Sequence, residues 1–80
     1  MNEYNIFNKK TVIENFGKPD LNLLSLLIYR KPVGTLAILI DNDEVAAFAL
    51  YDNDNNLLHQ IGIEIQIIFI TEQIGRNIPF

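Results

Sequence analysis

Apolar and polar positions along the chain change period from segment to segment, and each period predicts an element. Thr11-Val-Ile-Glu14 fits a capping box, with Thr11 accepting from the amide of residue 14 and Glu14 reaching back. Gly17 follows at the helix end and Pro19 blocks continuation. A short helix is therefore predicted over 12–16, with residues 3–10 either extending it or staying loose. Between Pro19 and Pro32, Asp20 is a good N-cap, and Asn22, Ser25 and Tyr29 fall on one stripe at spacings of three and four. Leu23, Leu24, Leu27 and Ile28 fill the remaining surface, and Arg30 and Lys31 suit a helix C-terminus. The spacing predicts a second helix over 21–31. A strand through 23–29 is the alternative, because short apolar runs fit either element.

After Pro32 the period becomes two. GTLAILI, residues 34–40, reads as a strand, Asp41 to Glu44 as a turn, and VAAFALY, residues 45–51, as a second strand. Asn42-Asp43 suits the centre of a tight hairpin, and Asp52 to Asn56 reads as another polar turn. Leu57 to about Thr71 then reads as one long third strand. Ile61, Ile63, Ile65 and Ile67 alternate there with Gly62, Glu64 and Gln66, until Ile68, Phe69 and Ile70 make both sides apolar. Gly75 and Pro79 mark an irregular tail. The predicted fold class is α+β: two N-terminal helices packed on a three-stranded antiparallel β-meander (ααβββ), in a single domain spanning residues 1–80.

A turn at 41–44 places Ile40 opposite Val45, and with it Ile38 opposite Ala47, Leu36 opposite Ala49 and Ala37 opposite Phe48. Large residues then face small ones. One sheet face carries Leu36, Ile38, Ile40, Val45, Ala47, Ala49 and Tyr51, and the other Thr35, Ala37, Leu39, Ala46, Phe48 and Leu50. Both are apolar. One helical layer covers one face, so the second is expected to be buried by another chain, most simply a copy of the same one.

Composition narrows the function classes. Eighty residues without cysteine leave neither disulfides nor thiolate metal sites to support a small core. Hydrophobic residues make up 49%, too many for a disordered chain. The net charge is −4 and the six basic residues, Lys9, Lys10, Lys18, Arg30, Lys31 and Arg76, are scattered, which argues against a nucleic-acid partner. No apolar run reaches the roughly 18 residues of a membrane span. The opening MNEYNIFNKK lacks a signal-peptide core, so the expected location is the cytoplasm.

Candidate chemistry is thin. Asp52, Asp54 and Asn56 match the first ligand positions of an EF-hand loop, but Leu57 stands where that loop needs glycine and Ile63 where it needs a bidentate glutamate. No metal or cofactor is expected. His59 is the sole histidine and Ser25 the sole serine, and neither sits in a catalytic motif. Gly17, Gly34, Gly62 and Gly75 never cluster, so no phosphate-cradling loop forms. Gly62 inside an apolar run indicates a bulge or a close backbone approach. No stretch carries a motif specific enough to name a family.

The expected function is a small non-catalytic protein-binding module, a homodimer acting as regulator or inhibitor of another protein, as immunity proteins and antitoxins do. The alternatives are a structural or assembly subunit using its apolar sheet face, and a small enzyme or ligand carrier with a pocket between subunits. The expected interface comprises Ala47, Ala49 and Tyr51 on the sheet, Glu64 and Gln66 as a polar rim, and Ile68 and Ile70 on the opposite side of the third strand.

Overall fold

A computed structural model describes residues 8–77. It differs from the expected ααβββ order. Helix α1 (Lys9–Phe16) precedes five strands, β1 (Leu21–Leu23), β2 (Leu26–Lys31), β3 (Gly34–Asp41), β4 (Glu44–Tyr51) and β5 (Leu57–Ile61), and helix α2 (Glu64–Asn77) follows them among the described residues. The strands form one antiparallel sheet in the order β1-β2-β3-β4-β5. The two-helix, three-strand layout is thus replaced by a five-stranded meander with one helix before it and one after.

Two segments account for the difference. The helix expected over 21–31 is the hairpin β1–β2, turning at Leu24 and Ser25. In β2, Leu26 and Ile28 pack on one side and Leu27 and Tyr29 on the other, all buried. A strand buried on both faces reads as an unbroken apolar run, which periodicity cannot separate from a helix. Asp20 does not cap a helix; its carboxylate accepts from the Arg30 amide at 2.6 Å. The long third strand stops at Ile61, and residues from Glu64 onward are helical. Ile67, Ile70 and Ile74, at spacings of three and four, form the buried stripe of α2. Gln66 reaches back to accept from the Ile63 amide at 3.1 Å, and Glu64 and Arg76 complement the helix dipole at opposite ends. Gly75 belongs to this helix rather than to a tail, while Pro79 lies outside the described residues.

Helix α1 starts earlier than expected. Asn8 is the N-cap, accepting from the Thr11 amide at 2.9 Å, while the Thr11 hydroxyl accepts from the Asn8 amide at 3.2 Å. The capping box is therefore Asn8–Thr11 and not Thr11–Glu14. The end at Gly17 agrees with the sequence; its φ of 85° is one that favours glycine. The proposed extension through residues 3–7 lies outside the described residues. Tyr29 fastens this end to the sheet: its hydroxyl donates to the Gly17 carbonyl at 2.7 Å and its ring meets Phe16 at 6.0 Å.

Register decides which face each helix covers. Ile40 pairs with Val45 as the turn predicts, but a bulge follows, and the next pair is Leu39 with Ala47. Ala46 is the extra residue. Every later pair is displaced by one: Ile38 opposes Phe48, Ala37 opposes Ala49 and Leu36 opposes Leu50. Because side chains alternate with period two, a one-residue slip moves one strand's residues to the opposite face. Small residues then gather together. Ala37, Ala47 and Ala49 form a shallow floor with Leu26, Ile28 and Tyr51, on which α2 rests through Ile67, Ile70 and Ile74. The other face carries Leu27, Tyr29, Ile38 and Ile40 around Val12 of α1, with Phe48 and Leu36 alongside.

The helices therefore lie on opposite faces, one core beneath each. The expectation that both helices share a single layer is overturned. Coverage is unequal, however. Among the described residues, α1 covers its face incompletely: Leu36, Val45 and Phe48 there are half-buried.

Candidate protein-binding surface

On the α1 face, the described residues leave a region over β4 and β5 uncovered. A shallow cleft of about 350 Å³ there is lined by Leu36, Phe48, Leu50, His59, Gln60 and Ile61. On the other face, β5 and α2 enclose a cleft of about 510 Å³ bordered by Leu57, Gln60, Glu64, Ile68 and Glu72 among others. Strand β5 is common to both. Every residue of β5 is exposed, as are Ile63 in the following corner and Ile65, Ile68 and Phe69 on α2. The corner turns tightly at Gly62, with φ 141°, where an added Cβ would sit 2.7 Å from the Ala47 Cβ. That is the close backbone approach expected of this glycine.

On α2, the buried stripe of Ile67, Ile70 and Ile74 fixes the opposite side as the outer one. Ile65, Ile68 and Phe69 occupy its first two turns, and Glu72 and Arg76 follow. The outer surface of α2 is apolar at its N-terminal half and charged beyond it.

The expected interface residues divide. Ala47, Ala49, Tyr51 and Ile70 are buried between the sheet and the chain's own α2. The Tyr51 hydroxyl bonds the Thr71 hydroxyl at 2.7 Å, and burial pushes the Tyr51 phenol up from its ordinary value. Gln66 is half-buried and occupied in capping α2. Glu64 and Ile68 are exposed, on a helix rather than a strand. Leu58, Ile61, Ile63, Ile65 and Phe69 are also exposed and were not among the expected residues. For Ile65 and Phe69 the signal is helical phase: once Ile67, Ile70 and Ile74 face inward, Ile65, Ile68 and Phe69 must face out.

Other candidates are placed apart. The acidic turns at 41–44 and 52–56 sit at opposite ends of β4, eight residues or about 26 Å apart at ~3.3 Å per residue, and cannot converge on one ion. Asp52 holds its own loop. Its carboxylate accepts from the Asn56 amide at 2.8 Å, the Asp54 amide at 2.9 Å and the Asn56 side chain at 3.1 Å, chiefly the Asn56 bonds lowering its pKa from the ordinary value. Among the described residues no group of three or more His, Asp or Glu is placed to hold a metal. His59 lines the cleft over β4 and β5, whereas Ser25 lies in the β1–β2 turn near Ile65 and Phe69, so the two do not meet. Among the described residues no helix is long and apolar enough to cross a membrane.

No protein-family model, curated protein or solved structure matches this chain.

Proposed function

We propose that this chain is a small non-catalytic protein-binding module that docks on another protein through the outer surface of α2 and the corner preceding it. One observation supports the reading. Ile63, Ile65, Ile68 and Phe69 are between 39 and 69% exposed while the inner stripe of the same helix is buried. Contiguous apolar side chains of this kind mark interaction sites on small domains. A helix surface of aliphatic and aromatic residues with charged neighbours has the anatomy of an interface core and its rim. The role proposed for it is that of a regulator or inhibitor of that partner.

Site-specific photocrosslinking in source cells tests the proposal, with the crosslinker at Phe69 or, as a control, at Val33. Val33 is also an exposed apolar residue, but it lies in the β2–β3 turn. A single larger partner is expected from Phe69, lost in an Ile65→Glu variant, and absent from the control. Adducts of equal yield at both positions would refute the reading.

A further inference from the structure

We propose that the chain preceding Asn8 adds a short sixth strand to the sheet, Phe7 and Ile6 pairing antiparallel with Val45 and Ala46 of β4, and that Met1–Asn5 then cross the α1 face into the cleft over β4 and β5. The inference rests on the free part of the β4 edge and stands independently of the docking surface on α2.

Strand β4 is paired on both sides over only part of its length. Against β3 the ladder runs from Glu44 to Tyr51, but against β5 it runs only from Phe48, opposite Ile61, to Tyr51, opposite Leu57. After Ile61 the chain leaves the sheet at Gly62, which stands against Ala47, and enters α2. Among the described residues, no strand lies beside Val45 and Ala46 on the β5 side. Asp41 and Glu44 flank a two-residue turn at Asn42 and Asp43, whose φ values of 52° and 65° are those of a type I′ hairpin. Such a flanking pair exchanges both of its hydrogen bonds, and the bonding direction then alternates along the strand. Val45 therefore turns its N–H and C=O away from β3, toward the open side, where they form a template for another strand.

Asn8 already stands at this opening. It forms an isolated antiparallel bridge with Glu44, and the Lys9 amide donates to the Asp43 carbonyl at 3.2 Å. Glu44 faces Asp41 of β3 on its other side, so Asn8 lies on the β5 side. In an antiparallel ladder a bond on one side of such a pair is matched by a reciprocal bond on the other. For the Asn8–Glu44 pair, the reciprocal of Lys9 to Asp43 runs from the Val45 amide to the Phe7 carbonyl, and that is where the hairpin aims Val45. Phe7 then lies opposite Val45 and shares its face, the one that carries Val12 and Phe48. Ile6 follows opposite Ala46, and the Gly62 corner against Ala47 ends the ladder there.

Direction and reach place the remainder. Traced back from Asn8, the segment heads from Glu44 toward Phe48, where α2 occupies one face of the sheet. On the α1 face the cleft of about 350 Å³ begins at Phe48 and Ile61 and extends to Leu50 and His59. Six residues along β4 separate Glu44 from Leu50, about 20 Å, and a seven-residue segment reaches about 23 Å. Of residues 1–7, Met1, Tyr4, Ile6 and Phe7 are apolar or aromatic. With Ile6 and Phe7 in the ladder, Tyr4 and Met1 are the side chains that cover the cleft.

The full 80-residue chain carries the test. In nuclear Overhauser spectra of the wild type, the α-protons of Ile6 and Ala46 are expected in contact, as in a non-hydrogen-bonded antiparallel pair, and the Tyr4 ring is expected in contact with Phe48 or Leu50. The chain contains no cysteine, so Phe7→Cys with Val45→Cys introduces one pair of thiols. Their Cα atoms stand about 5.5 Å apart in the proposed register, within the ~4.4–6.8 Å that a disulfide spans. This variant is expected to close a disulfide within one chain at least tenfold faster than Phe7→Cys with Val33→Cys, Val33 lying in the turn at the far end of β3. A wild type lacking the Ile6–Ala46 contact, or with Tyr4 in contact with neither Phe48 nor Leu50, overturns the proposal. So does a Phe7/Val45 cysteine pair that closes no faster than the control, or one that links two chains instead of closing within one.

Discussion

Ile65 and Ile67 distinguish a helix at the end of this chain from the strand that its alternation suggests. On a strand the two residues share a face, and truncating either has a comparable effect. On α2 they point in different directions: Ile67 is 5% exposed beneath the helix and Ile65 is 69% exposed on its outer side. Ile67→Ala deletes buried aliphatic atoms above the alanine floor, where Ala47 and Ala49 have no side chain to spare for filling the void. The expected loss is about 3 kcal/mol, within the 2–5 kcal/mol found for such truncations. An 80-residue domain has roughly 4–12 kcal/mol of stability in total. At about 4–8 °C per kcal/mol for a domain of this size, the melting temperature should fall by roughly 10–25 °C. Ile65→Ala removes exposed atoms, and alanine has the better helix propensity, so its effect should stay within about 0.5 kcal/mol. Urea unfolding followed by far-ultraviolet circular dichroism, at one protein concentration for both variants, gives the two midpoints. Equal shifts for the two variants would refute the helical placement of residues 64–77.

Three further outcomes follow from single positions. Gly34→Ala should destabilise by about 3 kcal/mol or more, because φ there is 153° and an added Cβ would run into the Tyr51 carbonyl; a chemical denaturation midpoint near that of the wild type would contradict this. Asp43→Gly should raise the melting temperature by a few degrees, about 0.5 kcal/mol, since Asn42 and Asp43 have φ of 52° and 65° and Asn-Gly is the favoured pair for such a turn; an unchanged or lower melting temperature would count against that turn geometry. The Asp52 carboxylate titrates below its ordinary value of 3.8 when folded, so its contribution is present above that pH and lost as pH falls through the folded value; the gap in melting temperature between wild type and Asp52→Ala should narrow below pH 3.8, and parallel pH profiles would show that its loop bonds contribute nothing.

The parts of the fold legible in the sequence are those where one local rule acted alone. Strands β3 and β4 and their Asn42-Asp43 turn follow from period two and turn chemistry, and Gly17 and Gly62 each mark a backbone that needs glycine. Strand β2 was not legible because burial on both faces erases its period. Helix α2 was hidden by its isoleucines, whose β-branched side chains favour strands, and by the chance that Ile65 and Ile67 continue the alternation of Ile61 and Ile63 into a helical 67/70/74 stripe. The bulge at Ala46 leaves no mark in composition, yet it moves Ala47 and Ala49 opposite Leu39 and Ala37. The candidate surface inherited both errors. Assigned as strand, 61–70 puts Ile70 outside; assigned as helix, it buries Ile70 and turns Ile65 and Phe69 outward.

Strand order in this sheet is chain order, and that arrangement bears on how the molecule folds. Each ladder joins segments separated by one short turn, so closing it costs little loop entropy, and the meander can zip from hairpin to hairpin. Helix α2 follows the strands in the chain and docks on β3 and β4, a surface that exists only after those strands have paired. Substitutions in the β3–β4 turn should therefore act mainly on the folding arm of a chevron plot, and substitutions in the inner stripe of α2 mainly on the unfolding arm. Until α2 arrives, the alanine floor is bare, and the interval between sheet assembly and helix docking is when a nascent chain is most open to wrong partners.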